Sequence, residues 1–448
     1  MAFDELGTAV AKLETVIAAG PVVPTVTPEE IRDHLTSRFD FTKPVALDDV
    51  IADVERMLRS WQVHVTHPRY FGLFNPSVTP ASVIGDALTA MYNPQLATWR
   101  TSPGANEIER HTLGWLAARF GLPADTLATF TTGGAEANLS AVVVALTRAF
   151  PSYGDAGLRA LAGPPTLYLS GEAHHSFAKI AHMTGLGRHA LRTVAVDADL
   201  KMDLADLARQ VADDRARGFA PFMVVGTAGT TGAGVIDPLP DLARFCRAED
   251  LWLHVDAAWG GAAVISPRLR PHLAGIEAAD SITCDAHKWL SVPIGAGMFF
   301  CRHPDAAGEA FRVETSYMPG KTAAVRDPYT SSVQWSRRFI GLKLFLALAE
   351  RGESGYAEMI EHQARMGDVL RESLRAAGWR IVNRTPLPVV CFTRDGLDTT
   401  AFLAALYARQ IAWMSEVRLG GAPPVLRACV TSFRTTESDI EWVVRAMG

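Results

Sequence analysis

Between residues 127 and 300 the chain alternates short apolar runs with stretches whose apolar residues recur at helical spacing. The runs cover 127–130, 166–169, 191–196, 222–225, 251–255, 282–284 and 297–300. Most are too short for helices, whereas 204–216 and 239–248, lying between them, carry a 3.6-residue period. That alternation predicts an α/β unit, a mainly parallel sheet covered by helices. Residues 1 to 65 read as helical: an amphipathic first helix, a second over 29–37 set off by Pro21, Pro24 and Pro28, and a third over 47–61. Their apolar stripes need another domain or another subunit to pack on. Further helices are expected over 81–91 and from Ser102, a cap residue followed by Pro103. Beyond Arg312 the sheet pattern stops, and polar residues 313–339, with Pro319, Gly320 and Pro328, read as a long mobile loop. A helix over 340–351 leads into a smaller unit with strands at 388–393 and 425–431 and a last helix after a cap-like 435–438.

Bulk properties narrow the function classes. At 448 residues, the chain exceeds the roughly 250 to 300 residues that one core supports, so two or more packed domains are expected. A net charge of −5 with no basic block argues against nucleic acid or an anionic membrane as partner. Five cysteines without a CxxC pair suit a reducing cytoplasm better than a disulfide framework or a zinc site. Asp4, Glu5, Lys12 and Glu14 interrupt the N-terminus, which reads as a helix rather than a signal peptide. No apolar run reaches the roughly 18 residues needed to span a bilayer, so a cytoplasmic protein is expected.

Ligands on parallel sheets gather at the carboxyl ends of the strands, so the residues after each run carry the chemistry. Lys288 stands between His287 and Trp289, ahead of Gly295-Ala296-Gly297. A buried Lys has a lowered pKa and is poised as a neutral amine nucleophile, for which the biological aldehyde is pyridoxal phosphate (PLP). The plainer alternative is a surface Lys packed on Trp289. Gly133 and Gly134 turn the chain tightly into a helix whose N-terminus suits a phosphate ester, although a simple strand-to-helix turn has the same composition. His174 and His175 lack the companions of a zinc set; one could stack on a flat ring or merely cap a helix. Thr227, Thr230 and Thr231 could line a narrow slot. Asp256 ends an apolar strand ahead of Ala257 and Ala258, and a carboxylate buried there needs a partner such as a pyridinium N–H. The aromatic-rich 67–77 is either a pocket wall or a packed connector.

Taken in order, HPRYFG, SPGANEIE, TTGGAEAN, EAHHS, GTTGAG, HVDAAWGG, DAHKW, SRRF and LRACVTSFRTTESDI resemble the PLP-dependent group II amino acid decarboxylases, which include the aromatic amino acid, glutamate, cysteine sulfinate and diaminobutyrate enzymes. The resemblance runs from about His67 to the C-terminus. It implies PLP fold type I, aspartate aminotransferase-like: a large PLP-binding domain (66–312) with a mainly parallel sheet and a small C-terminal α+β domain (340–448). It also implies an N-terminal helical segment (1–65) packed on the partner subunit, a mobile catalytic loop (313–339), and a homodimer with shared active sites.

By the same resemblance Lys288 matches the Schiff-base lysine, Asp256 the partner of the pyridine nitrogen and His174 the imidazole stacked over the ring. Ala258 lies beneath the ring, Thr231 contacts the cofactor, and Gly133, Gly134 and Ala135 form the phosphate turn. His287 precedes the lysine in the family too. Asp285 falls where some members carry a phosphate-contacting Asn, and its role stays open. A loop tyrosine from the neighbouring subunit returns the proton after CO2 leaves; Tyr329 fits best by its distance from SRRF, with Tyr317 as the fallback. The expected substrate pocket comprises Leu73, Phe74, Leu96, Ala97, Thr98 and Arg100. Leu73 and Ala97 replace aromatic positions of the aromatic-substrate enzymes, and Arg100 could receive a distal acid, so an acidic or small polar L-amino acid leads. The expected reaction is PLP-dependent decarboxylation to the amine, with no metal. The rivals are a C–C lyase, an aminotransferase or an aldehyde synthase on the same fold, and a non-catalytic binding protein.

Overall fold

The computed structural model describes residues 3–75, 77–313, 315 and 325–448. Seven strands form the central sheet: β1 (Leu127–Thr131), β2 (Pro165–Ser170), β3 (Leu191–Val194), β4 (Ala220–Thr227), β5 (Trp252–Asp256), β6 (Ser281–Asp285) and β7 (Gly297–Cys301). Each coincides with one of the apolar runs. They are ordered β1-β7-β6-β5-β4-β2-β3. β3, β2, β4, β5 and β6 run parallel, and β7 is antiparallel to both its neighbours. Their near-continuous burial explains why the runs lack alternation, since helices cover both faces.

Register brings the chemistry to one level. Thr227 pairs with Asp256, and Asp256 with Thr283. On the other side Asp285 and Thr131 both pair with Gly297. Glycine is required there: a Cβ at 297 would come within 2.6 Å of the Gly133 backbone and 2.4 Å of Thr131 Oγ1. The turn after β1 can therefore lie directly over the end of β7.

The C-terminal part carries a four-stranded antiparallel sheet, β8 (Arg380–Ile381), β9 (Val389–Thr393), β10 (Ser415–Val417) and β11 (Val425–Cys429), in the order β10-β11-β9-β8. Helices Thr399–Ala408 and Glu437–Met447 pack beside it, the latter held by a capping box between Thr436 and Asp439. The helix expected over 340–351 continues as Leu342–Ala376, broken only at Gly352, whose φ is +66°. Three helices precede the sheet domain: Phe3–Ala19, Pro28–Arg38 and Leu47–Ser60. On the last, Leu47, Ile51, Val54 and Leu58 form an apolar stripe exposed to solvent.

In the described part of the segment expected as a mobile loop, residues 325–339, several side chains are buried. Tyr329 is buried on a single helical turn, and its N–H donates to Ala97 O. Nearby, Arg337 makes a buried two-pronged ion pair with Glu109 (3.1 and 2.7 Å), which also accepts from Gly341 N. Tyr317 lies outside the described residues.

Candidate active site

The strand ends, the turn after β1 and the loop after β6 enclose a cavity of about 250 Å³. Its floor is Asp256 and Ala258, at the end of β5. Gly133, Gly134 and Ala135 form one wall where helix Gly134–Ala149 begins. The first N–H groups of a helix have no intrahelical acceptor and point outward. Gly134 has to be small, because a Cβ there would stand 2.9 Å from Asp285 Oδ2 and 3.2 Å from Ala258 Cβ.

Lys288, Asp285 and His287 form the adjoining wall. Lys288 Nζ lies 3.0 Å from Asp285 Oδ2, and Asp285 is almost fully buried. This overturns the expectation of a neutral amine. Burial does push the Lys288 pKa down, but Asp285, with help from Asp256, outweighs it and holds the ammonium above its ordinary value. Asp285 Oδ1 is buried without a hydrogen-bond partner among the described residues. His287 Nδ1 accepts from Ala296 N at 3.1 Å, so its neutral ring carries the proton on Nε2, 3.7 Å from Asp285 Oδ2. Burial lowers the His287 pKa against the pull of Asp285.

Asp256 is anchored from two directions: Asn138 Nδ2 donates to Oδ2 at 2.9 Å and Ala258 N to Oδ1 at 3.1 Å. His174 faces the cavity from the loop after β2. Its Nδ1 accepts from Ser176 N at 3.2 Å, and burial lowers its pKa more than Asp256 raises it, leaving a neutral ring suited to stacking. Phe74 closes one side, stacked on Trp259, itself stacked on Trp289 (centroids 4.5 and 5.1 Å apart).

Most of the expected residues therefore meet here: Gly133, Gly134, Ala135, His174, Thr231, Asp256, Ala258, Asp285, His287 and Lys288, with Phe74 from the expected substrate pocket. Leu73, Leu96, Ala97, Thr98, Arg100 and Tyr329 do not line the cavity within one chain. Leu96 to Thr98 are buried elsewhere, with Leu96 N donating to Arg337 O and Ala97 O accepting from Tyr329 N. Leu73 and Arg100 are exposed. Two contributors, Asn138 and Arg427, were not anticipated as site residues, whereas Thr227 belongs to the expected threonine slot. Asn138 sits one helical turn after Gly134 in the quoted TTGGAEAN. Thr227, at the end of β4, keeps a buried Oγ1 with no partner among the described residues. Arg427, on β11, is buried; its Nε and Nη1 donate to Thr231 O and Gly72 O (both 2.9 Å), while Nη2 has no partner among the described residues. Its guanidinium and Lys288 Nζ lie 4.8 and 5.8 Å from the Phe74 ring centroid. In the sequence Arg427 stood as the basic residue of an apolar strand run, within the motif LRACVTSFRTTESDI.

The donor set fits pyridoxal phosphate. Lys288 would offer its amine to the aldehyde carbon, Asp256 a carboxylate to the ring nitrogen and His174 a flat ring to the ring face. Helix N–H groups at Gly134 and Ala135 suit its phosphate, and orphaned Thr227 Oγ1 is a buried hydroxyl in need of a polar partner.

Comparison with known proteins agrees with this chemistry. A family model described as the pyridoxal-dependent decarboxylase conserved domain matches residues 28–394. Tyrosine decarboxylase 2 of Arabidopsis thaliana is 30% identical over 442 residues, covering 94% of this chain and 80% of that protein. An aromatic-L-amino-acid decarboxylase of Bacillus atrophaeus is 29% identical over 391 residues, 84% of this chain and 80% of its own length. The crystal structure of mouse CSAD superposes with a TM-score of 0.90 at 26% identity, over 98% of this chain and 99% of that one.

Proposed function

Since this chain belongs to the pyridoxal-dependent decarboxylase family, we propose that the Lys288 cavity is where it decarboxylates its substrate and that the residues around it act as follows. The enzyme is a PLP-dependent amino acid carboxy-lyase of the fold type I architecture. PLP, when bound, supplies the electron-withdrawing ring that takes up the electron pair released as CO2 departs. Lys288 would hold the cofactor through its amine, the group that a substrate amine would replace. Asp256, fixed by Asn138 and Ala258 N, keeps a proton on the ring nitrogen. His174 would cover the ring, and the turn of Gly133, Gly134 and Ala135 would carry the phosphate. Arg427 receives the substrate's carboxylate, since its buried guanidinium has a donor to spare. The observation that carries the reading is the convergence of Lys288, Asp256 and the Gly134 helix start on one 250 Å³ cavity.

The active unit is a homodimer with shared sites. Two features support this: the unpartnered stripe of Leu47, Ile51, Val54 and Leu58, and the placement of Tyr329 and Ala97 together but outside the cavity of their own chain. In this reading segment 1–65 packs on the partner, and Tyr329, with Tyr317 as the fallback, returns the proton to Cα in the partner's site. Residues 66–312 are the cofactor domain and 340–448 the small domain. Five buried free cysteines support a cytoplasmic setting, and no helix among the described residues is long and apolar enough to cross a membrane.

For the substrate, Leu73 and Ala97 favour an acidic or small polar L-amino acid. The names of the relatives favour an aromatic one. Incubating holoenzyme with a panel of L-amino acids and measuring CO2 and amine separates these readings. Equal yields of both are expected from one class. Keto acid without CO2 would turn the assignment to an aminotransferase, and absence of the visible band of lysine-bound cofactor would turn it to a binding protein.

A further inference from the structure

Behind Asp256 runs a chain of buried polar contacts. Asn138 Nδ2 donates to Asp256 Oδ2 (2.9 Å), Asn138 Oδ1 faces His254 Nε2 (3.0 Å), His254 Nδ1 faces Ser281 Oγ (2.8 Å), and Trp252 Nε1 donates to Ser281 Oγ (2.8 Å). All five side chains are buried, His254 completely. The direction of every bond follows from the two ends. A carboxylate can only accept, so the amide NH2 of Asn138 must point at Asp256 and its oxygen at His254. His254 must then carry its proton on Nε2, which leaves Nδ1 as an acceptor. Ser281 must donate to Nδ1, and its lone pair takes the indole N–H, which can only donate.

From this we infer that His254 is a positioning residue of the decarboxylase: its neutral Nε2–H tautomer locks the Asn138 amide, and through it the orientation of Asp256 toward the cofactor's ring nitrogen. The inference rests on the reading of Asp256 given above. The surroundings hold the tautomer in place. Thr283 Oγ1 lies 3.4 Å from Nε2, the Phe177 ring edge packs on the imidazole with centroids 6.2 Å apart, and Asn138 Nδ2 also reaches Ser176 Oγ at 3.3 Å. Asp256 is the charged group facing this cluster. Burial pushes the His254 pKa down to about 4, so the ring stays neutral across the working pH range. Protonation would put a second N–H against the Ser281 hydroxyl and break the directional order.

Two substitutions of similar polarity separate positioning from bulk structure. In His254→Gln the amide NH2 can occupy the place of Nε2–H; in His254→Asn the shorter side chain reaches only the place of Nδ1. Holoenzymes are compared by kcat, KM and the pH titration of the lysine-bound cofactor's visible absorbance, with Asp256→Asn as reference. His254→Asn is expected to lose about tenfold or more in kcat, the order of one hydrogen bond to a charged group, with KM little changed and the titration displaced in the same direction as in Asp256→Asn. His254→Gln should keep at least a third of kcat and the parent titration. Equal behaviour of the Gln and Asn variants, whether both like the parent or both impaired, would overturn the role of His254. If Asp256→Asn itself left the titration in place, the reading of Asp256 would fail first, and the two failures are thereby distinguishable.

Discussion

Replacing Asp285 with Asn tests the least expected feature of the site, the ion pair that keeps Lys288 charged. The pair is 3.0 Å apart, with Asp285 at 1% and Lys288 at 22% side-chain exposure. Two unit charges at that distance attract by about 5.5 kcal/mol at an effective dielectric constant near 20. Even a quarter of this, about 1.4 kcal/mol, equals one pKa unit and a tenfold change in the free-amine fraction. The sign follows from the lysine: its pKa is raised, so the reactive neutral amine is scarce at pH 7 and becomes commoner as pH rises. In the cofactor-free enzyme, stopped-flow absorbance should show the rate of PLP capture climbing about tenfold per pH unit through pH 6 to 9. Asp285→Asn removes the attraction while burial remains, so capture at pH 7 should quicken about tenfold or more and the climb should level off at lower pH. An acceleration that persists undiminished at a pH high enough to free the parent's lysine would mean that Asp285 merely repels the phosphate. Identical rates and slopes in the two proteins would refute the ion-pair argument altogether.

Three further outcomes are expected. Tyr329→Phe should cut amine formation about a hundredfold relative to CO2 release, measured by chromatography and gas trapping; undiminished amine would transfer the proton-donor role to Tyr317 or to another group. Arg427→Met should raise KM about tenfold or more, the loss of a hydrogen bond from a charged donor, with the cofactor absorbance retained; an unchanged KM would remove Arg427 from the substrate's side. Glu109→Gln strands the buried Arg337 guanidinium and should cost about 3 to 5 kcal/mol in denaturant unfolding of the holoenzyme, whereas Glu109→Gln combined with Arg337→Met should recover much of that loss.

The sequence by itself determined the seven strands of the main sheet and the identity of the groups at their ends. Fully buried parallel strands must be short apolar runs, and their carboxyl ends must carry whatever chemistry the sheet supports, so Lys288, Asp256 and the Gly133 turn were visible as residue types in a pattern. Tertiary structure decided what those groups experience. The charge state of Lys288 depends on a carboxylate three residues upstream, across a turn that brings Asp285 Oδ2 to 3.0 Å; no local pattern states that distance. Arg427 comes from a sheet more than a hundred residues beyond Lys288, and only domain packing sets its guanidinium against Phe74. Ala97 and Tyr329 are joined by a backbone hydrogen bond outside the cavity of their own chain, and Leu96 N donates to the carbonyl of Arg337, whose side chain pairs with Glu109. Sequence names the groups, but pKa values and pocket walls depend on through-space distances, which only the fold supplies.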